Sequence, residues 1–221
     1  MGRKVTIVAI GGGHATKTRL ICENLRESLQ EIFTSVKIQI VDLDELTSNK
    51  DSKTYTDADY DFGRIYDELR IFKTGDSSNV YTREIILLYG CYALYDDRIN
   101  ELSDVKIFIE SDPDVRLINL IRERGIETPD SLSKLINEYV SHLRVEMQKY
   151  IEPTRINSDI IIPYSNNTIG TSIILDGIVN VIKDGESSQL ETKTHAHPTS
   201  LSWDFETERI DTEKLRYYDA S

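Results

Sequence analysis

Apolar residues in this chain gather into five short runs, at residues 4–10, 36–41, 84–89, 105–109 and 158–162, the last ended by Pro163. The clearest, 84–89, is apolar without a break after Glu84, whereas Lys37 and Gln39 interrupt 36–41; unbroken apolar runs of this length mark parallel strands buried on both faces. Between the runs, apolar positions recur at three and four residues, the period of helices that lay one side on a sheet. Residues 18–33 put Leu20, Ile21, Leu25, Leu29 and Ile32 on one side, and residues 62–72 do the same with Ile65, Leu69 and Phe72. Residues 115–124 follow a proline start signal and stop at Gly125. A long amphipathic helix is predicted over 129–150, striped by Leu132, Leu135, Ile136, Tyr139, Val140, Leu143 and Met147. A last helix over 166–182 carries Thr168, Ile173, Ile174, Ile178 and Val181 and ends before Gly185. The expected class is α/β, a parallel sheet of about five strands with helices on both faces.

Two stretches interrupt this pattern. Residues 47–61 are rich in Asp, Ser, Thr and Lys and have no period, so they read as a loop over a site or a mobile lid. From Asp184 onward the apolar pattern fails, which divides the chain into a folded domain, 1–183, and a polar C-terminal tail, 184–221. The tail is expected to dock in places through Trp203, Phe205, Tyr217 and Tyr218.

Composition narrows the function. A chain of 221 residues supports one sizeable core, and 39% hydrophobic with 29% charged residues describes a soluble globular protein. The net charge of -12 argues against nucleic acid as a partner, because phosphate backbones are bound by clustered Lys and Arg. Cys22 and Cys91 are the two cysteines and imply neither a disulfide framework nor a metal cluster. His195 and His197, with no cysteine nearby, do not make a metal site. With no apolar run of about 20 residues and no secretory leader, the expectation is a cytoplasmic or nuclear protein without membrane attachment, not a secreted one.

The candidate chemistry lies between the first strand and the first helix. Gly11, Gly12, Gly13, His14, Ala15, Thr16, Lys17 and Thr18 fit the phosphate-loop template G-x-x-x-x-G-K-[ST] at every fixed position but the second glycine, which is Thr16. Glycines let successive N–H groups turn toward one anion, and the helix N-terminus adds positive potential. The lysine reaches the outer phosphates and the Thr18 hydroxyl holds magnesium. A plain Gly-rich turn is the alternative. A β-branched Thr16 cannot take a positive φ without strain, so either its backbone stays ordinary or the cradle is reshaped. Asp44 follows the second strand, where open α/β sheets bind ligands. It reads as a base for a substrate hydroxyl or an orienter of magnesium, and equally as part of a solvated turn. Arg116, Arg122 and Arg124 suit a phosphate clamp, or ordinary surface ion pairs. The Met and Tyr residues of the long helix read as core, and His142 as a surface or satisfied core residue.

The chain resembles the uridine kinases, which use ATP to phosphorylate the 5′ hydroxyl of uridine or cytidine. The likeness covers residues 4–182. It rests on the loop 11–18, on VKIFIESDPDVRL at 105–117, on Arg124 with Gly125, and on IEPT at 151–154 followed by SDIIIP at 158–163. The resemblance implies a P-loop kinase-type sheet, with residues 11–18, Arg116, Arg122 and Arg124 binding ATP, Thr18 on Mg2+, and Asp44 as catalytic base. It also implies a nucleoside triphosphate and a pyrimidine nucleoside as partners, and self-association. The chain departs from the family pattern at Thr47, where an aromatic is expected, and at Gly63, where the ribose-binding carboxylate is expected. The segment 74–83 and the arginine-rich lid at 118–124 are shortened, and Tyr89 stands where the family has a metal-organising acid. Two functions follow: an ATP-dependent uridine or cytidine kinase of weak or altered activity, or a catalytically degenerate nucleotide-binding or regulatory paralogue.

Overall fold

The computed structural model describes residues 4–33, 35–47, 53–74, 83–164 and 167–191. The chain divides into two compact units, Met1–Glu186 and Ser187–Ser221, and the sheet belongs to the first. Five parallel strands, β1 (Lys4–Gly12), β2 (Val36–Asp42), β3 (Arg83–Tyr89), β4 (Val105–Glu110) and β5 (Ile160–Pro163), lie in the order β2-β3-β1-β4-β5. The central strand alternates between two cores. Val8 and Ile10 pack with Ile21, Cys22, Leu25 and Leu29 of helix α1 (Thr18–Ile32) on one face. On the other, Ile7 and Ala9 pack with Ile65 and Leu69 of α2 (Phe62–Thr74). Because both faces are covered, β1 reads as a continuous apolar run.

Helix α1 buries the predicted Ile21, Leu25 and Leu29 together with Cys22, and leaves the predicted Leu20 and Ile32 exposed. The polar stretch before β4 contains a short helix, α3 (Asp97–Leu102), whose first turn is capped by the Asp96 carboxylate accepting from the Arg98 and Ile99 N–H groups. Helix α4 (Pro113–Glu123) ends in a Schellman turn: Gly125 is left-handed at φ 58, its N–H bonds the Arg122 carbonyl, and the Ile126 N–H bonds that of Ile121.

The long helix differs from its prediction in an instructive way. It begins as α5 (Pro129–Glu138), widens into a π-turn at Tyr139–Leu143, passes through α6 (Arg144–Glu146), and widens again at Met147–Ile151. Its buried apolar positions are Leu135, Tyr139, Leu143, Met147 and Ile151, while the predicted Ile136 and Val140 are exposed. Residues four apart drift about 40° per step on an α-helix, so over the four steps from Leu135 to Ile151 the stripe would wind about 160° off the core. A π-turn holds more than four residues, and two of them bring the stripe back into register. The same correction turns Glu146 inward, where it is buried.

Helix α7 (Asn167–Glu191) runs through Gly185 instead of stopping before it, since an interior glycine costs a helix only about 1 kcal/mol. It buries Ile174, Ile178, Val179 and Ile182, and leaves the predicted Ile173 and Val181 exposed. Trp203, Phe205, Tyr217, Tyr218, His195 and His197 lie outside the described residues, as does the side chain of Thr168. No helix among the described residues is long and apolar enough to cross a membrane.

Candidate active site

The phosphate loop sits at the carboxyl end of β1. Its backbone alternates in hand: Ala15 (φ 56) and Lys17 (φ 54) are left-handed, while Thr16 between them stays at negative φ. The strain expected of Thr16 thus falls on its two neighbours, at about 1 kcal/mol each. Thr16 itself is buried, and its hydroxyl donates to the Gly13 carbonyl over 2.8 Å. Backbone that alternates hand next to a helix N-terminus forms a concave nest of N–H groups suited to an anion. The loop is packed from behind. A methyl on Gly13 would meet Arg116 Cδ at 2.7 Å and Met147 Sδ at 3.0 Å, and one on Gly12 would meet the Ile109 carbonyl at 2.9 Å. The Asn119 amide also donates to the Ala15 carbonyl over 3.0 Å.

A cleft opens between the loop and the π-turned helix, lined by His14, Asp44, Asp59, Tyr60, Arg124 and Glu146 among others. Asp44 leads the 3-10 turn Asp44–Leu46 after β2 and lines this cleft. Tyr60 donates to its Oδ1 over 2.7 Å. Burial lifts the Asp44 carboxyl above the usual carboxylate range, and the Tyr60 hydrogen bond and the His14 side chain pull partly against that. The turn is held by Gly90, at φ 150, which leaves the Leu43 Cβ only 2.8 Å from where a side chain would begin. The described part of the polar stretch, 53–61, lies over the site as a loop: Lys53, Tyr55, Asp59 and Tyr60 line the cleft, Thr47 bridges to Tyr60, Asp57–Asp59 forms a 3-10 turn, and Asp59 is buried. Burial pushes the Asp59 carboxyl up, but donors from Thr54, Tyr55 and Thr56 outweigh it and hold it below the ordinary value.

His14 is the loop residue that lines the cleft, and both its ring nitrogens are engaged. Nε2 lies 2.8 Å from Glu146 Oε2, and Nδ1 lies 3.4 Å from Cys91 Sγ. Tyr92 donates to the other Glu146 oxygen over 3.0 Å. Burial pushes the Cys91 thiol far up, so it stays protonated beside the ring. Glu146 was not marked by the sequence. It is 132 positions from His14, and only the phase shift of the π-turns brings it inward.

The basic candidates are spread apart. Lys17 is exposed, with its ammonium 5.9 Å from the Tyr164 ring centroid beyond β5. Arg116 is buried behind the loop and donates to the Ser111 carbonyl. Arg122 is exposed. Arg124 lines the cleft and is held by both oxygens of Glu138, at 2.6 and 3.1 Å. Tyr55, left-handed at φ 57, donates to the same carboxylate and stacks on His142 with centroids 4.7 Å apart. On the α1 side of the sheet, Tyr89 donates to Asp42 Oδ2 over 2.6 Å, and both line a second recess with Arg19, Glu23 and Glu45.

Comparison with known proteins agrees with this layout. A sequence model described as the phosphoribulokinase/uridine kinase family matches residues 17–169, so the match opens at Lys17 and the glycines precede it. The Saccharomyces cerevisiae protein named "Putative uridine kinase DAS2" is 40% identical over 225 residues, covering 99% of this chain and 97% of its own. A uridine kinase of Lactococcus lactis is 26% identical over 210 residues, 82% of this chain and all of its own. Among solved structures, the phosphoribulokinase from Rhodobacter spheroides superposes with a TM-score of 0.52 at 11% identity over 72% of this chain and 70% of that one, which speaks for the fold alone. A strand order, a phosphate-loop position and a match over more than half the length converge on one conclusion: this chain belongs to the phosphoribulokinase/uridine kinase family.

Proposed function

We propose that the protein transfers the terminal phosphoryl group of ATP to the 5′ hydroxyl of a pyrimidine nucleoside, uridine or cytidine. The observation that carries this reading is Asp44, set in one cleft with the phosphate-loop residue His14 and oriented by Tyr60. A base must reach the acceptor hydroxyl while the loop holds the donor, and phosphoryl transfer depends on that positioning and on charge neutralisation. The residues present suit the donor. The left-handed Ala15 and Lys17 form an anion nest, the Lys17 side chain is exposed and long enough to swing from Tyr164 to the loop, and Thr18 supplies a hard oxygen donor. Magnesium, when bound with ATP, neutralises charge on the outer phosphates.

In this reading Asp44 takes the hydroxyl proton as the acceptor oxygen bonds phosphorus, and ADP leaves. Arg124 exchanges Glu138 for the phosphates, a swap between two good partners for a guanidinium fork. Tyr60, Phe62, Tyr92, Tyr95 and Tyr150 form a ring-packed cluster beside the cleft, which gives the acceptor site a rigid wall. The test is to incubate the protein with labelled ATP, Mg2+ and a panel of nucleosides, beside Asp44→Asn. Uridine or cytidine 5′-monophosphate made by the native chain and lost in the variant is the expected result. No product with any nucleoside, alongside measurable ATP binding, would instead support a nucleotide-binding regulator.

A further inference from the structure

Phosphate-loop enzymes pair the loop hydroxyl with a carboxylate at the end of a neighbouring strand, and the two together place the magnesium ion. In this chain the end of β3 carries Tyr89, whose phenol is not a metal-organising acid. The sheet register puts Asp42 directly beside it, as the Cα partner of Tyr89 on β2. Adjacent strands are about 4.8 Å apart, so the nearest carboxylate has moved by a single strand. We propose that Asp42 is the carboxylate of the magnesium site and that Tyr89 is the residue that positions it. This deepens the kinase reading and rests on it.

Three features of the structure carry the assignment. First, both Asp42 oxygens are fixed by one donor each: Tyr89 Oη to Oδ2 over 2.6 Å, and the Asp44 N–H to Oδ1 over 2.9 Å. A carboxylate oxygen accepts more than one partner, so each keeps a lone pair for a cation or for one of its waters. Second, Asp42 faces the first turns of α1. It lines a recess with Arg19, the residue after Thr18, and its charge contributes to the raised thiol of Cys22. The recess opens on the face of α1 that carries Arg19, Glu23 and Arg26, one position round the first turn from Thr18. Third, the donors are hard oxygens, one carboxylate and one hydroxyl, with the rest of the shell left to water and phosphate. That is how magnesium is usually held. The Asx-type bond from Asp44 N–H also ties the metal carboxylate to the proposed base two residues on, so both groups ride on one turn.

The test reads binding rather than turnover. A fluorescent ATP analogue is titrated into the full chain with Mg2+ and with EDTA, for the native protein, Asp42→Asn, Tyr89→Phe, and Asp42→Asn combined with Tyr89→Glu. Asparagine keeps the oxygen that accepts from Asp44 N–H, so the turn survives. The expected result is an Mg2+-dependent gain in affinity that falls about tenfold in Asp42→Asn, while affinity in EDTA stays within twofold. Tyr89→Phe loses a smaller part of the gain, and the double variant, with its acid returned to β3, recovers it. A role confined to shaping the end of β2 would move both titrations together. An unchanged Mg2+ gain in Asp42→Asn overturns the assignment and leaves the kinase reading standing. No nucleotide binding by the native chain overturns both.

Discussion

Asp44 is a carboxyl whose proton affinity is set by opposing neighbours. Burial raises its pKa, and the Tyr60 hydrogen bond, which favours the ionised form, lowers it. As the base it must be ionised, so kcat/KM is expected to fall on the acid side at a pH above the ordinary carboxylate value. Removing the donor with Tyr60→Phe should move that limb further toward neutrality, as measured in a pH-rate profile; a shift toward acid would contradict the assignment of Tyr60 as donor. The same carboxyl acts on stability with the opposite sense. Its raised pKa contributes stability below the unfolded value that is lost as pH rises through the folded one. Glu146 makes a different case. Glu146→Ala leaves the Tyr92 hydroxyl and the His14 ring without their acceptor inside the protein. A loss of about 3 kcal/mol in urea unfolding is expected. Asp44 and the loop could be found in the sequence because their chemistry is local: a strand end, three glycines and a Lys-Thr pair are contiguous. Glu146, Tyr92 and Cys91 could not, because nothing near them in the chain announces a polar network with His14.

At the scale of elements, β1 and β3 were readable because burial on both faces leaves a nearly unbroken apolar signature, and the π-turned helix was not. A reader counting three and four assigns Ile136 and Val140 to the core, whereas the chain repeats its apolar residues every four from Leu135 to Ile151 and bends its geometry to suit. The contact between α7 and β5 shows packing overriding propensity. A methyl at Gly170 would run into Ile162 Cγ2 of β5. Alanine would gain about 1 kcal/mol of helix propensity but overpack a tight contact at a cost of about 1 to 3 kcal/mol. Gly170→Ala is therefore expected to lower the urea midpoint. Gly125 is the converse, left-handed with nothing within 4 Å. Gly125→Ala should cost about 1 kcal/mol, from backbone conformation alone.

For the molecule as a whole, the binding proposal sets a stability expectation. A ligand that binds only the folded chain at a hundred times its Kd adds about 2.7 kcal/mol. In a protein of this size that raises Tm by about 5 to 10 °C. Mg-ATP should produce this shift in a thermal melt, and Lys17→Ala should abolish it. A native chain that melts at the same temperature with and without Mg-ATP would remove the phosphate loop from nucleotide binding. The acidic balance of the chain, net -12, sits beside a cleft that itself carries Asp44, Asp59, Glu138 and Glu146 against Lys53 and Arg124. An anionic acceptor such as a sugar phosphate would meet that field unfavourably, whereas a neutral nucleoside would not.

The bare Gly13 lets Arg116 and Met147 nestle against the back of the phosphate loop. Since those two side chains come from α4 and the π-turned helix, the root of that hairpin is keyed to the loop like a tenon in its mortise. Any closure over bound reactants must then pivot near the hairpin tip around Gly125. Amide exchange should quicken there and stay slow beside Met147.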